Sequence, residues 1–126
     1  MRHALVLFAH GSRSPEWGRT LEVLAGEIRR RDPSVEVRTA FLELQRPPLE
    51  EVVDELVASG QRRIDVFPVF WAAGNHVRVD APAILQAARE RHAGLDIRLL
   101  PVISEVPGLA GWLAGTVLAL HTEATT

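Results

Sequence analysis

Histidine, carboxylate and arginine are the side chains with which this chain can move protons or hold ions. It has no Cys and no Tyr, and all fourteen of its basic side chains are Arg. Thiolate metal sites, cysteine nucleophiles and disulfides are therefore excluded. So are a Schiff-base lysine, a P-loop lysine and a tyrosine acid. Five His remain, and an imidazole titrates nearest to neutrality. His10 lies in FAHGSR, just after a short apolar run, and His76 lies in AAGNH, just after another. Glu43 sits at the corresponding place in FLELQ. Two imidazoles and one carboxylate suit a borderline divalent ion such as cobalt, nickel, iron or zinc. So few protein donors leave coordination positions open. Either ring could also accept a proton.

Alone, each of these histidines reads more readily as a hydrogen-bonded loop residue than as a ligand, and Glu43 at a strand end needs no function. Whether they form a site depends on the elements that carry them. Residues 4–8 (ALVLF) are apolar throughout, as in a strand buried on both faces. Ser14-Pro15 opens a helix with Trp17, Leu21, Leu24 and Ile28 at helical spacing, stopped by Asp32-Pro33. Residues 35–42 read as a second strand. Pro47-Pro48 starts a second helix, with Leu49, Val52, Val53 and Leu56 on one face and an end at Gly60. Residues 64–70 form a third strand, bent near its end by Pro68. A loop holds Gly74-Asn75-His76, and Asp80 with Pro82 begins a third helix that runs to Gly94. Residues 96–100 make the fourth strand. The last helix uses Leu109, Trp112, Leu113, Thr116, Val117 and Leu120. Residues 1–121 are expected to form a single domain and 122–126 a flexible tail.

Strand and helix alternate four times, which calls for a parallel sheet with helices on both faces. Right-handed crossovers favour a flavodoxin-like three-layer sandwich with strand order 2-1-3-4. Ligands in such sheets bind beyond the carboxyl ends of the strands, where the order reverses. That point falls between the first and third strands, so the loops bearing His10 and His76 face one crevice, with Glu43 beside them. Ser12 and Arg13 either cap and flank the turn after His10 or receive a substrate carboxylate at the helix N-terminus. Arg78 has the same two readings. Phe70 reads as core, whereas Trp71 could wall a flat ligand. Trp17 and Trp112 read as core or interface by default. His3, His92 and His121 are set aside as ligands, and His92, in the last turn of its helix, complements the macrodipole.

These segments resemble a known family. VLFAHGSR with Pro-Glu following, FLEL leading to a proline-containing helix start, and RRIDVFPVFWAAGNHVRVDAP are similar to the short, single-domain class II chelatases, the sirohydrochlorin cobaltochelatases. The resemblance covers roughly residues 4–101. It implies the chelatase fold and insertion of a divalent metal, cobalt first and iron or nickel as alternatives, into a tetrapyrrole for cobalamin or siroheme synthesis. It also implies that His10 and His76 are the active-site histidines, with Glu43 as an accompanying carboxylate. The metal would be substrate, with no tightly bound cofactor. Longer relatives contain two such halves, so a chain of this length is expected to pair as a homodimer through its apolar last helix. Trp71, Asn75 and the segment 102–106 depart from the family pattern.

The formal net charge of -2 gives no reason to expect nucleic acid as a partner. The apolar stretch from Val106 to Leu120 contains three Gly and is too short to span a bilayer, so a cytoplasmic protein is expected. Two rival functions stand beside the chelatase. A divalent-metal carrier could use the same two histidines. A histidine phosphatase also has a His-Gly pair after its first strand, but there an arginine precedes the histidine, and here Ala9 does.

Overall fold

The computed structural model describes residues 3–125. Strand β1 is His3–Ala9, followed by helix α1 (Pro15–Arg31), β2 (Glu36–Phe41), α2 (Leu49–Ala58) and β3 (Arg63–Pro68). A π-turn, His76–Asp80, leads directly into α3 (Ala81–Arg91), then β4 (Asp96–Leu99), a 3-10 turn (Ile103–Glu105) and α4 (Leu109–Thr125). The four strands are parallel and ordered β2-β1-β3-β4, as the alternation predicts.

After His3, β1 is apolar because it lies inside the sheet, between β2 and β3, and packs on both faces. Val6 and Phe8 point into a core shared with Val52, Val53 and Leu56 of α2 and Leu85 and Ala88 of α3. Leu7 points the other way, against Leu21 and Ala25 of α1. Pro68 ends β3 two residues earlier than the apolar run suggests, since it has no N–H to continue the ladder. Phe70 packs against Phe8 at a ring separation of 5.8 Å, which agrees with its reading as core.

Two expectations need correction. His76 does not sit in a loop. The N–H groups of Val77 and Arg78 both donate to Gly74 O, which starts a helical turn five residues before the Asp80-Pro82 signal. Trp17 and Trp112 are not core, since each is 66% exposed. The final helix runs to Thr125, into the stretch expected as tail, and Thr122 Oγ1 donates back to Leu118 O. Thr126 lies outside the described residues.

Helix α4 is the least enclosed element. Leu109, Leu113 and Thr116 are half-buried, whereas Val117, Leu118 and Leu120 are more than half exposed. The 3-10 turn before it is tied to the sheet by backbone bonds, Ile103 N–H to Phe70 O (3.0 Å) and Ser104 N–H to Trp71 O (2.9 Å). The unusual 102–106 segment thus braces the loop leaving β3.

Candidate active site

The β1–β2 ladder does not stop where the strands do. Leu42 N–H donates to Ala9 O (2.9 Å) and Glu43 N–H to His10 O (3.0 Å). These two bonds carry the pairing into the loops, so His10 and Glu43 emerge side by side. Glu43 Oε1 is then 3.0 Å from His10 Nε2. The close approach depends on Gly11, which has φ +100° and packs on the Glu43 carbonyl. A Cβ there would come within 1.7 Å of that oxygen. The turn is bent further by Leu44 (φ 66°) and the cis Arg46–Pro47 bond.

His76 reaches the same place from β3. Its ring lies 4.7 Å from that of His10, centroid to centroid, at an interplanar angle of 51°. Its Nδ1 is 3.0 Å from Asp80 Oδ2. The result is a row, Glu43–His10–His76–Asp80, across the switch point between β1 and β3. Each side chain in it is between 40% and 56% exposed. Ion pairs this open contribute on the order of 0–1 kcal/mol, so their effect is to orient the rings rather than to hold the fold.

The two rings differ in what they offer. Nδ1 of His10 is 3.1 Å from Gly11 O, which can only accept, and Nε2 faces the Glu43 carboxylate. A neutral ring has one N–H and satisfies one of these acceptors. His76 has its one acceptor at Nδ1. Among the described residues no group of three or more His, Cys, Asp or Glu side chains is arranged to hold a metal ion. The four groups pair off instead of closing around one point.

Beside His10 opens a cavity of about 530 Å³. Trp17, Leu21, Leu24, Val69, Phe70 and Trp71 form its apolar walls. Trp71 is 61% exposed and stands at the rim. Trp17 joins it there, although its helical spacing suggested only packing. A wider depression of about 730 Å³ lies between α1 and β2, but it contains no histidine.

Ser12 also lines the cavity, but its polar groups are engaged locally. Its N–H donates to Gln45 Oε1 (2.7 Å) and its Oγ accepts from Ser14 N–H (3.1 Å). It therefore stiffens the turn, and Gln45 occupies the amide that an anion would need. Arg13 and Arg78 are exposed and outside the cavity lining. His92 caps α3 and contacts Asp54 of α2. His3 and His121 are exposed. Three contributors escaped the sequence reading. Gly11 is visible only as half of a His-Gly pair, Gln45 carries no pattern, and Asp80 reads as a helix start.

A parallel sheet with paired histidines and carboxylates at its switch point, beside an aromatic-walled cleft, defines an α/β protein of the open-sheet class with its candidate site at the carboxyl ends of the strands. The chain belongs to the CbiX family, whose model matches residues 4–119. It is 31% identical over 119 residues to a sirohydrochlorin cobaltochelatase of Sulfolobus acidocaldarius, covering 89% of this chain and 95% of that protein. A sirohydrochlorin cobaltochelatase of Methanococcus aeolicus is 34% identical over 82 residues, 65% of this chain. The matched segment spans only 57% of that relative's length. The crystal structure of a cobalamin (vitamin B12) biosynthesis CbiX protein from Marinobacter aquaeolei VT8 superimposes with a TM-score of 0.81 at 33% identity. That match covers 97% of this chain and 98% of the other.

Proposed function

We propose that this chain inserts a divalent metal ion, cobalt foremost, into sirohydrochlorin. The observation that carries the reading is the meeting of His10 and His76, ring against ring, beside an apolar cavity. The family membership and the names of its relatives point the same way. In the reaction two pyrrole N–H bonds break and two protons leave, while the ion exchanges its previous ligands for bonds to the four nitrogens of the resulting ring dianion. The protein must present the ion weakly and accept those protons.

The row of side chains suits that task. An imidazole nitrogen can hand an ion on because it binds without the grip of a thiolate. Glu43, paired with His10, is the natural first acceptor of a displaced proton. Trp71 and Trp17 would lie against the macrocycle, which is too large for the cavity to enclose. Arg13 and Arg78, both exposed, would meet its peripheral carboxylates, with Ser12 shaping the turn between. Residues 1–121 would act as one chelatase unit in the cytoplasm; no helix among the described residues is long and apolar enough to cross a membrane. The open apolar side of α4 supports a homodimer, with Trp112 and Leu118 on the contact.

Absorption spectroscopy of sirohydrochlorin with Co²⁺, Fe²⁺ or Ni²⁺, with and without catalytic amounts of protein, tests the activity and ranks the metals. His10→Ala and His76→Ala should each lower the insertion rate at least about 100-fold while circular dichroism stays unchanged. Full turnover in either variant would remove that histidine from the site. A protein that binds Co²⁺ but gives no spectral change beyond stoichiometric transfer would be a carrier.

A further inference from the structure

Asp80 occupies the position before α3 where an aspartate ordinarily accepts hydrogen bonds from the first helical amides. Here it makes no such bond. The reason is the π-turn. Asp80 has helical angles (φ -70°, ψ -47°), and the helix already extends upstream of it. The next amide, Ala81 N–H, donates to His76 O. With the helix prolonged in this way, the carboxylate is released from capping. Its partner is Nδ1 of His76, one π-turn back and 3.0 Å away.

We infer that Asp80 is a positioning residue that holds His76 as its Nδ1–H tautomer and leaves Nε2 as the lone-pair nitrogen beside His10. An ionised carboxylate can only accept, so Nδ1 must carry the proton. A neutral ring then has its lone pair on Nε2, which has no hydrogen-bond partner among the described residues. His10 is built differently: it has an acceptor at each ring nitrogen, so whichever nitrogen lacks the proton faces an oxygen rather than open space. The two histidines are thus not interchangeable: His76 is set to meet the ion, and the His10–Glu43 pair to exchange protons. Carboxylate partners of this kind fix ring orientation and strengthen the ligand. π-turns recur at functional positions, and this one supplies the spacing. The inference rests on the proposed role of His76 in metal insertion.

Two measurements on the intact protein test it. Long-range ¹H–¹⁵N correlation of the histidine rings should find His76 protonated at Nδ1, and Asp80→Ala should move it toward the Nε2–H form. The same variant should raise the KM for Co²⁺ by about 10- to 100-fold, with a smaller fall in kcat. Asp80→Asn retains an oxygen that can accept from Nδ1–H, so it should keep the tautomer and recover most of the Co²⁺ KM. It also serves if the alanine variant does not fold. A wild-type ring protonated at Nε2 would overturn the inference. So would an alanine variant with wild-type tautomer and KM, or an asparagine variant as impaired in KM as a loss of the contact. If His76→Ala turns over normally, the site reading itself fails. If His76→Ala is inactive while Asp80→Ala is normal, only the role of Asp80 falls.

Discussion

Gly11 shows how narrowly the site is drawn at the level of single residues. Its positive φ and its contact with the Glu43 carbonyl are separate demands, and an alanine would violate both. The left-handed conformation alone costs a non-glycine residue about 1–3 kcal/mol, and a Cβ 1.7 Å from an oxygen cannot be accommodated without moving the backbone. Gly11→Ala should therefore destabilise the protein by at least about 2 kcal/mol and push Glu43 away from His10. Chemical denaturation measures the first effect and the insertion rate the second. An alanine variant with wild-type stability would contradict the described turn. Such a requirement cannot be read from HGSR, because the atom that forbids a side chain belongs to a residue more than thirty positions away. Asp80 was hidden for the opposite reason: an Asp two residues before a Pro has a sufficient explanation as a helix start, and only the observed contact with His76 shows that it does something else.

At the level of elements, α2 and α3 are joined by an ion-pair cluster remote from the cleft. Asp54 accepts from Arg91 Nη2 at 2.9 Å and faces His92 Nε2 at 2.7 Å. Partial burial alone would raise the pKa of Asp54, but hydrogen bonds from His92 and Arg91, with their charges, outweigh it and hold the group below its ordinary 3.8. The folded protein thus takes up this proton less readily than the unfolded chain. The contribution is present above the unfolded pKa and is lost as pH falls through the folded one. Asp54→Asn should cost at most about 1 kcal/mol near neutrality, because the cluster is half exposed. It should also flatten the loss of stability between about pH 5 and pH 2. Urea unfolding across that range is the check, and an unchanged pH slope would dismiss the cluster. The sequence placed His92 correctly at a helix end but supplied it with only a dipole to answer, since Asp54 lies on another element. Strand order was more legible. Four apolar runs separated by helices admit few right-handed arrangements, and 2-1-3-4 is the observed one. The π-turn was not legible, because Gly74-Asn75 is as good a loop signal as any and helical periodicity begins only at Val77.

For the molecule as a whole, α4 is where packing is unfinished. Trp112 is 66% exposed and Leu118 64%, on a helix with no fully buried side chain from Leu109 to Glu123. Sequence periodicity marked these positions as apolar, which is correct, but could not say whether this chain or a neighbour would cover them. If two copies associate through this helix, Trp112→Glu should shift the protein from dimer toward monomer in sedimentation equilibrium. The monomer should keep its secondary structure, since no core contact is lost. A wild-type chain that sediments as a monomer at micromolar concentration would dispose of the dimer.

The two backbone bonds that run past the ends of β1 and β2 have a consequence for how the protein can diverge. Because main-chain atoms gauge the gap between the imidazole of residue 10 and the carboxylate of residue 43, most replacements in the surrounding helices leave that gap alone. Lineages can remodel the cleft walls without retuning the His10–Glu43 pair. Only an insertion or deletion that slides one strand against the other would unseat it.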